Sequence, residues 1–172
     1  TEDYSIFEHF ISIYNQTMQR DNAEEYYYFQ EEFYKAIHDY LKGNYQVFYA
    51  TLDDQIIAVS IILYANKQMH YHLSGSLSEY RSFAPTNLLL YEVALWGHQE
   101  GYKTFHLGGG LGSGNDNLYK FKAAFNRKSG LQFSIGKQIF NQALYNQLVE
   151  ERLAEDPNFD LEGKYFPLYR AK

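Results

Sequence analysis

The sequence predicts an α/β or α+β fold built on a mixed, mostly antiparallel sheet flanked by helices, and three observations carry that reading. Two helical periodicities come before any strand signal. Three runs rich in β-branched and aromatic residues then follow one another across very short turns, and short turns imply antiparallel pairing. After them, strand and helix signals alternate, and that order calls for a crossover connection and a parallel partner.

From the N-terminus, Ser5-x-x-Glu8 has capping-box spacing, and Ile6, Phe10, Ile13, Tyr14 and Thr17 recur on one face of a helix over 5–19. Arg20-Asp21-Asn22-Ala23 ends or bends it. Phe29, Phe33, Ile37 and Leu41 recur at helical spacing before Gly43-Asn44, which predicts a second helix with a glycine stop. The strand runs are Tyr45–Leu52, Ile56–Leu63 and Met69–Leu73, divided by Asp53-Asp54 and by Ala65-Asn66-Lys67. Pro85 suits the first position of a helix that Leu88, Leu89, Glu92, Val93, Leu95 and Trp96 carry to a glycine cap at Gly101. Thr104–Leu107 reads as a short strand. It runs into Gly108-Gly109-Gly110-Leu111-Gly112-Ser113-Gly114, after which Asn115 or Asp116 caps a helix with Leu118, Phe121 and Phe125 on one stripe. Leu131–Ile135 reads as another strand, and a last helix runs from Phe140 to about Leu153 with Leu144 and Leu148 on its apolar line.

At 172 residues the chain is sized for one domain, 1–172, with 45% apolar and 21% charged residues as in an ordinary globular protein. Fifteen Lys and Arg against 21 Asp and Glu give a net charge of -6, which excludes bulk coating of nucleic acid and leaves only a local basic patch for such a partner. The absence of Cys removes disulfides, thiolate metal sites and Cys nucleophiles together and fits a reducing compartment, so a cytoplasmic location is expected. No apolar run approaches the roughly 18 residues of a membrane span, and no basic segment precedes an apolar one at the N-terminus. The 18 Tyr and 13 Phe suggest a core and cleft walls that are apolar in bulk and polar at points, the tyrosines reading more as cleft lining than as bulk core.

The glycine run after a strand and before a helix has the form of an anion cradle, or equally of a flexible surface loop. It is no P-loop, because no Gly-Lys-Ser/Thr follows, and it breaks the dinucleotide fingerprint at Ser113. Lys122 lies just past it, beside Phe121 and Phe125; it reads either as a cation held to stabilise charge on a carbonyl oxygen or as a lysine whose stem covers Phe121. His70-x-His72 lacks the further ligands of a zinc site, and no metal is expected. Glu79, Glu100 and Asp116 are candidate bases. Lys120, Lys122, Arg127 and Lys128 form a basic cluster that either docks a phosphate-bearing substrate or is simply solvated.

In this order the segments Thr17-Met18-Gln19-Arg20-Asp21-Asn22-Ala23 with Tyr26-Tyr27-Tyr28-Phe29, then Tyr71-His72-Leu73-Ser74-Gly75-Ser76, Leu107-Gly108-Gly109-Gly110 and Asp116-x-Leu118-Tyr119-x-Phe121-Lys122-x-x-Phe125 form an ordered set. Over roughly residues 6–140 it resembles the FemABX family of peptidoglycan bridge-forming aminoacyltransferases, whose domains have the GNAT acyltransferase fold. The resemblance implies a sheet that splays into a cleft, and transfer of an aminoacyl group from aminoacyl-tRNA to an amine of a nucleotide-linked muropeptide, with no further cofactor. By position Lys122 would stabilise the tetrahedral oxyanion and Arg20 would help hold the muropeptide. Tyr119 has a looser claim as proton donor, and Tyr71, Ser74, Gly108, Gly109, Gly110 and Phe121 would line the substrate. Any tRNA contact would be local, through the basic cluster. Family members usually pair two such domains, so a chain opening on Thr1 without Met is expected to be the second half or a single-domain version. The Gln/Arg-x-x-Gly-x-Gly/Ala loop that grips coenzyme A pyrophosphate in ordinary GNAT enzymes is missing, with Phe83-Ala84-Pro85 in its region. The alternatives are a CoA-dependent N-acyltransferase using acetyl-CoA or another acyl-CoA, and a non-catalytic half-domain that binds substrate.

Overall fold

In the computed structural model, which describes residues 1–111 and 114–171, strands β1 (Tyr45–Leu52), β2 (Gln55–Ala65), β3 (Gln68–Ser76) and β4 (Thr104–His106) form one sheet in the order β1-β2-β3-β4. The first three are an antiparallel meander and β4 pairs with β3 in parallel. Both meander turns are two-residue connections in left-handed conformation, with φ of 48° and 64° at Asp53 and Asp54 and of 49° and 61° at Asn66 and Lys67. That geometry matches the right-handed twist of the flanking strands.

The chain divides into two compact units, residues 1–128 and 129–172. In the first, helices α1 (Ile6–Arg20) and α2 (Glu31–Tyr40) cover one face of the sheet, and α3 (Pro85–Gln99) covers the other. Phe7, Phe10, Ile13 and Tyr14 of α1 pack with Tyr34 and Ile37 of α2 on Tyr45, Val47, Val59 and Ile61. Leu89 and Val93 of α3 pack on Ala58, Ile62 and Met69. Tyr14, Tyr34 and Tyr45 are fully buried, so tyrosine builds the core as well as the cleft, contrary to the composition-based expectation.

Two contacts bring α1 onto β3. A Cβ on Gly75 would fall 2.9 Å from the Ile13 carbonyl oxygen and the Tyr14 Cα, so only glycine permits this approach. The Thr17 hydroxyl accepts from the Ser76 N–H at 2.9 Å and donates to the Ile13 carbonyl at 2.9 Å. Ser5, expected to cap α1, is itself helical and makes no side-chain cap, because from that backbone conformation its hydroxyl does not face the first turn. Pro85 opens α3 as expected, and Gly101, at φ +80°, closes it through a bond from its N–H to the His98 carbonyl.

The unit ends with the short helix α4 (Asn117–Ala123). Gly112 and Ser113 of the glycine run, and Lys172, lie outside the described residues. The second unit holds α5 (Gln142–Glu155), capped by Asn141, whose side chain accepts from the Leu144 N–H at 3.0 Å. Leu131–Ile135 is not a strand: Leu131 and Phe133 are 92% and 74% exposed and have no partner strand, so a β-rich composition alone does not make a ladder. Among the described residues no helix is long and apolar enough to cross a membrane.

Candidate active site

The parallel pairing of β3 with β4 lasts only from Gln68↔Thr104 to His70↔His106. Beyond it β3 continues to Ser76, while the other chain leaves through Leu107 and turns at Gly108, where φ is +75°. The two strands therefore part and open a wedge. On β3 the pairing with β2 slips between Ile61 and Ile62, where Leu73 and Tyr71 are the partners, leaving His72 as the extra residue of a bulge. Bulges re-aim side chains next to such openings.

Lys122 reaches this opening from α4. Its Nζ donates to the Gly109 carbonyl at 2.9 Å, lies 5.6 Å from the centroid of the Tyr71 ring, and would stand 3.3 Å from a Cβ on Gly108. Burial lowers the Lys122 pKa, and the Asp116 carboxylate opposes that shift. The Tyr71 phenol is pushed up by burial, with the nearby Ser74 hydroxyl acting the other way. The half-buried Lys122 ammonium is thus directed at the opening, whereas Lys120, Arg127 and Lys128 of the same cluster are exposed.

Within the described part of the glycine run, Leu111 is tied to Asp116. One Asp116 oxygen accepts from the Tyr119 N–H at 2.7 Å and the other from the Leu111 N–H at 2.6 Å. These bonds hold its carboxyl below the usual carboxylate range. A Cβ on Gly110 would collide with that carboxylate. Asp116 thus clamps Leu111 to the first turn of α4, each carboxylate oxygen accepting from one backbone amide.

The other predicted residues are dispersed. Ser74 donates to the Val59 carbonyl at 3.0 Å and borders Tyr71. Arg20 donates to the Ser76 carbonyl at 3.0 Å and pairs with Asp21 at 2.9 Å, so its guanidinium ties α1 to the end of β3. Tyr119 is 38% exposed, and Phe121 packs edge-on against Phe125. Glu79 lies in the 3₁₀ turn Ser78–Phe83 and Glu100 at the end of α3. Tyr71, Gly108, Gly109 and Lys122 are the group that comes together.

Sequence reasoning missed His106. Its Nδ1 lies 2.9 Å from Nδ1 of His70, with the rings stacked at 5.1 Å, and His72 is 6.0 Å from His70. The parallel register brings the two rings side by side, and the only hint in the sequence is a histidine closing the strand before the glycines. Burial lowers the pKa of His70, helped by the nearby His106, His72 and Lys122. Among the described residues no three His, Cys, Asp or Glu side chains are grouped to hold a metal ion.

A mixed sheet whose parallel pair parts into a wedge fits an acyltransferase domain. The chain belongs to the acetyltransferase (GNAT) domain family, whose model matches residues 2–123. No curated protein sequence matches it significantly. Among solved structures it is similar to an aminoglycoside acetyltransferase from an uncultured soil metagenomic sample in complex with sisomicin, at TM-score 0.58 and 12% identity over 81% of this chain and 91% of that one. A second such enzyme from an uncultured soil metagenomic sample superposes at TM-score 0.55 and 9% identity, with the same coverages of 81% and 91%. AAC(6')-Iy in complex with the bisubstrate analog CoA-S-monomethyl-acetylneamine gives TM-score 0.50 and 12% identity over 80% and 92% of the two chains. At these identities the likeness establishes the fold.

Proposed function

We propose that this chain is an N-acyltransferase that moves an acyl group from a coenzyme A thioester to a primary amine, with the carbonyl held in the wedge between β3 and β4. The observation that carries this is the Lys122 ammonium over Tyr71 at that opening. Acyl-CoA would supply the acyl group already activated as a thioester. The residues fit such a donor in one respect: α3 begins at Pro85 with no side-chain cap, after Arg81, and with the Asn87 N–H bonded to the Ala84 carbonyl it would offer a pyrophosphate the Thr86 N–H and the positive helix end. Of the three donors on the Lys122 ammonium, the Gly109 carbonyl uses one and orients the others toward a developing oxyanion. Its charge is worth most in the transition state, because the half-buried site screens it poorly.

A second reading, transfer from aminoacyl-tRNA in the FemABX manner, is favoured by one feature. The 3₁₀ turn Ser78–Phe83 stands where coenzyme A enzymes carry a glycine-rich loop. Under that reading Arg20 would contact a muropeptide and Lys120, Arg127 and Lys128 the tRNA. Calorimetry with acetyl-CoA, followed by thiol release in the presence of sisomicin, spermidine or glycylglycine, separates the two. Micromolar binding and amine-dependent release support the thioester donor. Absence of both, with transfer from aminoacyl-tRNA, moves the assignment to the second reading.

A further inference from the structure

We propose that His70 is the base that takes the proton from the acceptor amine, and that His106 is a positioning residue that sets its tautomer. The inference rests on the acyl-transfer reading of this site but on neither particular donor.

Adjacent residues of a strand face opposite sides of a sheet. Tyr71 packs with Met69 toward α3, and above it stands Lys122. His70 lies on the other side, next to His72, whose ring approaches Phe33 of the α2 side at 6.3 Å. The wedge opens immediately past the His70–His106 pair. A carbonyl held there would have a cation on one side and an imidazole on the other, as attack of an amine on one face and charge build-up on oxygen require.

The 2.9 Å contact between two Nδ1 atoms has a definite proton count. Both rings cannot donate, and two bare lone pairs would repel, so in the neutral pair one Nδ1–H donates and the other Nδ1 accepts. The donating ring then carries its free lone pair on Nε2, and only that ring is a base. We assign the donor role to His70. When its Nε2 takes a proton, the Nδ1–H···Nδ1 bond becomes charge-assisted, which stabilises the imidazolium as it forms.

The charged and titratable groups facing His70 are His106 on β4, His72 on β3 and Lys122 on α4, with Tyr64 of β2 across the adjoining cavity of about 620 Å³. None is an anion, so nothing holds His70 protonated at neutral pH. That cavity runs from Leu41, Asn44 and Leu63 past Asn66 and Gln68 at the β2–β3 turn to His70 and His106, so the imidazole pair stands at its border, with the wedge beyond.

The step balances as follows. His70 Nε2 removes one proton from the ammonium R–NH3+. The freed nitrogen lone pair forms the N–C bond, and the C=O pair moves onto oxygen beside Lys122. As that pair returns, the bond to the leaving group breaks. The departing thiolate, or alkoxide for an ester donor, takes the second nitrogen proton, and His70 releases the first to water.

Nitrogen-15 NMR of the full chain should find His70 neutral at pH 7 as the Nδ1–H tautomer; the Nε2–H tautomer overturns the proposal whatever the kinetics show. With acetyl-CoA and whichever of the three amines turns over, His70→Gln should lower kcat/KM at pH 7 by about 100-fold or more. The deficit should shrink as rising pH deprotonates the amine without help, a recovery that a merely structural loss would not produce. His106→Phe should lower kcat with KM unchanged, and His106→Asn, which keeps an acceptor for the His70 N–H, should restore it. A His70→Gln variant within twofold of the unaltered chain, or equally impaired at every pH, overturns the assignment. If the unaltered chain uses only aminoacyl-tRNA, the thioester reading fails and the same variants decide the base with that donor. If it uses neither donor, both proposals fall.

Discussion

The Lys122 ammonium lies 5.6 Å from the centroid of the Tyr71 ring while it donates to the Gly109 carbonyl at 2.9 Å. The ring face attracts the cation, and the carbonyl fixes its direction, so a flexible side chain is held in one place at the mouth of the wedge. Its charge is thereby set before any substrate arrives.

Lys122→Met should lower kcat by about 100- to 1,000-fold, the scale for losing a preorganised donor to an oxyanion. The thermal midpoint should change little, because methionine keeps the apolar stem against Tyr71. Parallel kcat and melting measurements check this, and undiminished kcat would remove Lys122 from the mechanism.

Asp116 links pH to the tie between Leu111 and the first turn of α4. Its folded carboxyl is held below the unfolded value of about 3.9, so it contributes stability that is fully present above that value. The contribution is lost as pH falls from there through the lower folded pKa. Hydrogen exchange at the Leu111 and Tyr119 amides, which Asp116 binds, should therefore accelerate in acid. In Asp116→Ala these amides should be unprotected already at neutral pH.

Gly75→Ala should destabilise the first unit by about 1–3 kcal/mol, because the new methyl group meets α1 backbone that cannot rotate away. Urea unfolding at neutral pH measures it. An unchanged midpoint would mean that α1 sits farther from β3 than described.

Tyr34 is fully buried, and its hydroxyl has no hydrogen-bond partner among the described residues. Burial drives its phenol pKa upward, which keeps the group neutral. Tyr34→Phe removes an unpaid desolvation cost without changing the ring, so stability should rise by about 1 kcal/mol. A loss of that size in the same unfolding assay would reveal a bound water or other partner for the hydroxyl.

Much of the first unit was legible locally. Tyr45–Leu52 alternates, and Asp53-Asp54 turns it back on β2, because those signals act over a few residues. Leu131–Ile135 carried an equally β-rich composition and remained irregular, since a strand needs a neighbour that composition does not supply. At the site, Lys122 stood out beside its aromatic neighbours, whereas Asp116 read as a possible base because nothing local showed both of its oxygens committed to backbone amides. The tyrosines of the core were likewise misjudged, since burial depends on which helix face meets the sheet.

By itself the sequence determined the order of helices and strands, the meander and the presence of a lysine after a glycine run. These follow from periodicity, turn chemistry and residue type, which are local properties. Only the tertiary structure decided that β3 and β4 part after His70 and His106, that Lys122 enters from the Tyr71 side, and that the two imidazoles share one hydrogen bond. His70 and His106 are 36 positions apart in the chain. Their meeting depends on the α3 crossover that returns the chain in parallel beside β3, and no spacing rule links residues across such a crossover.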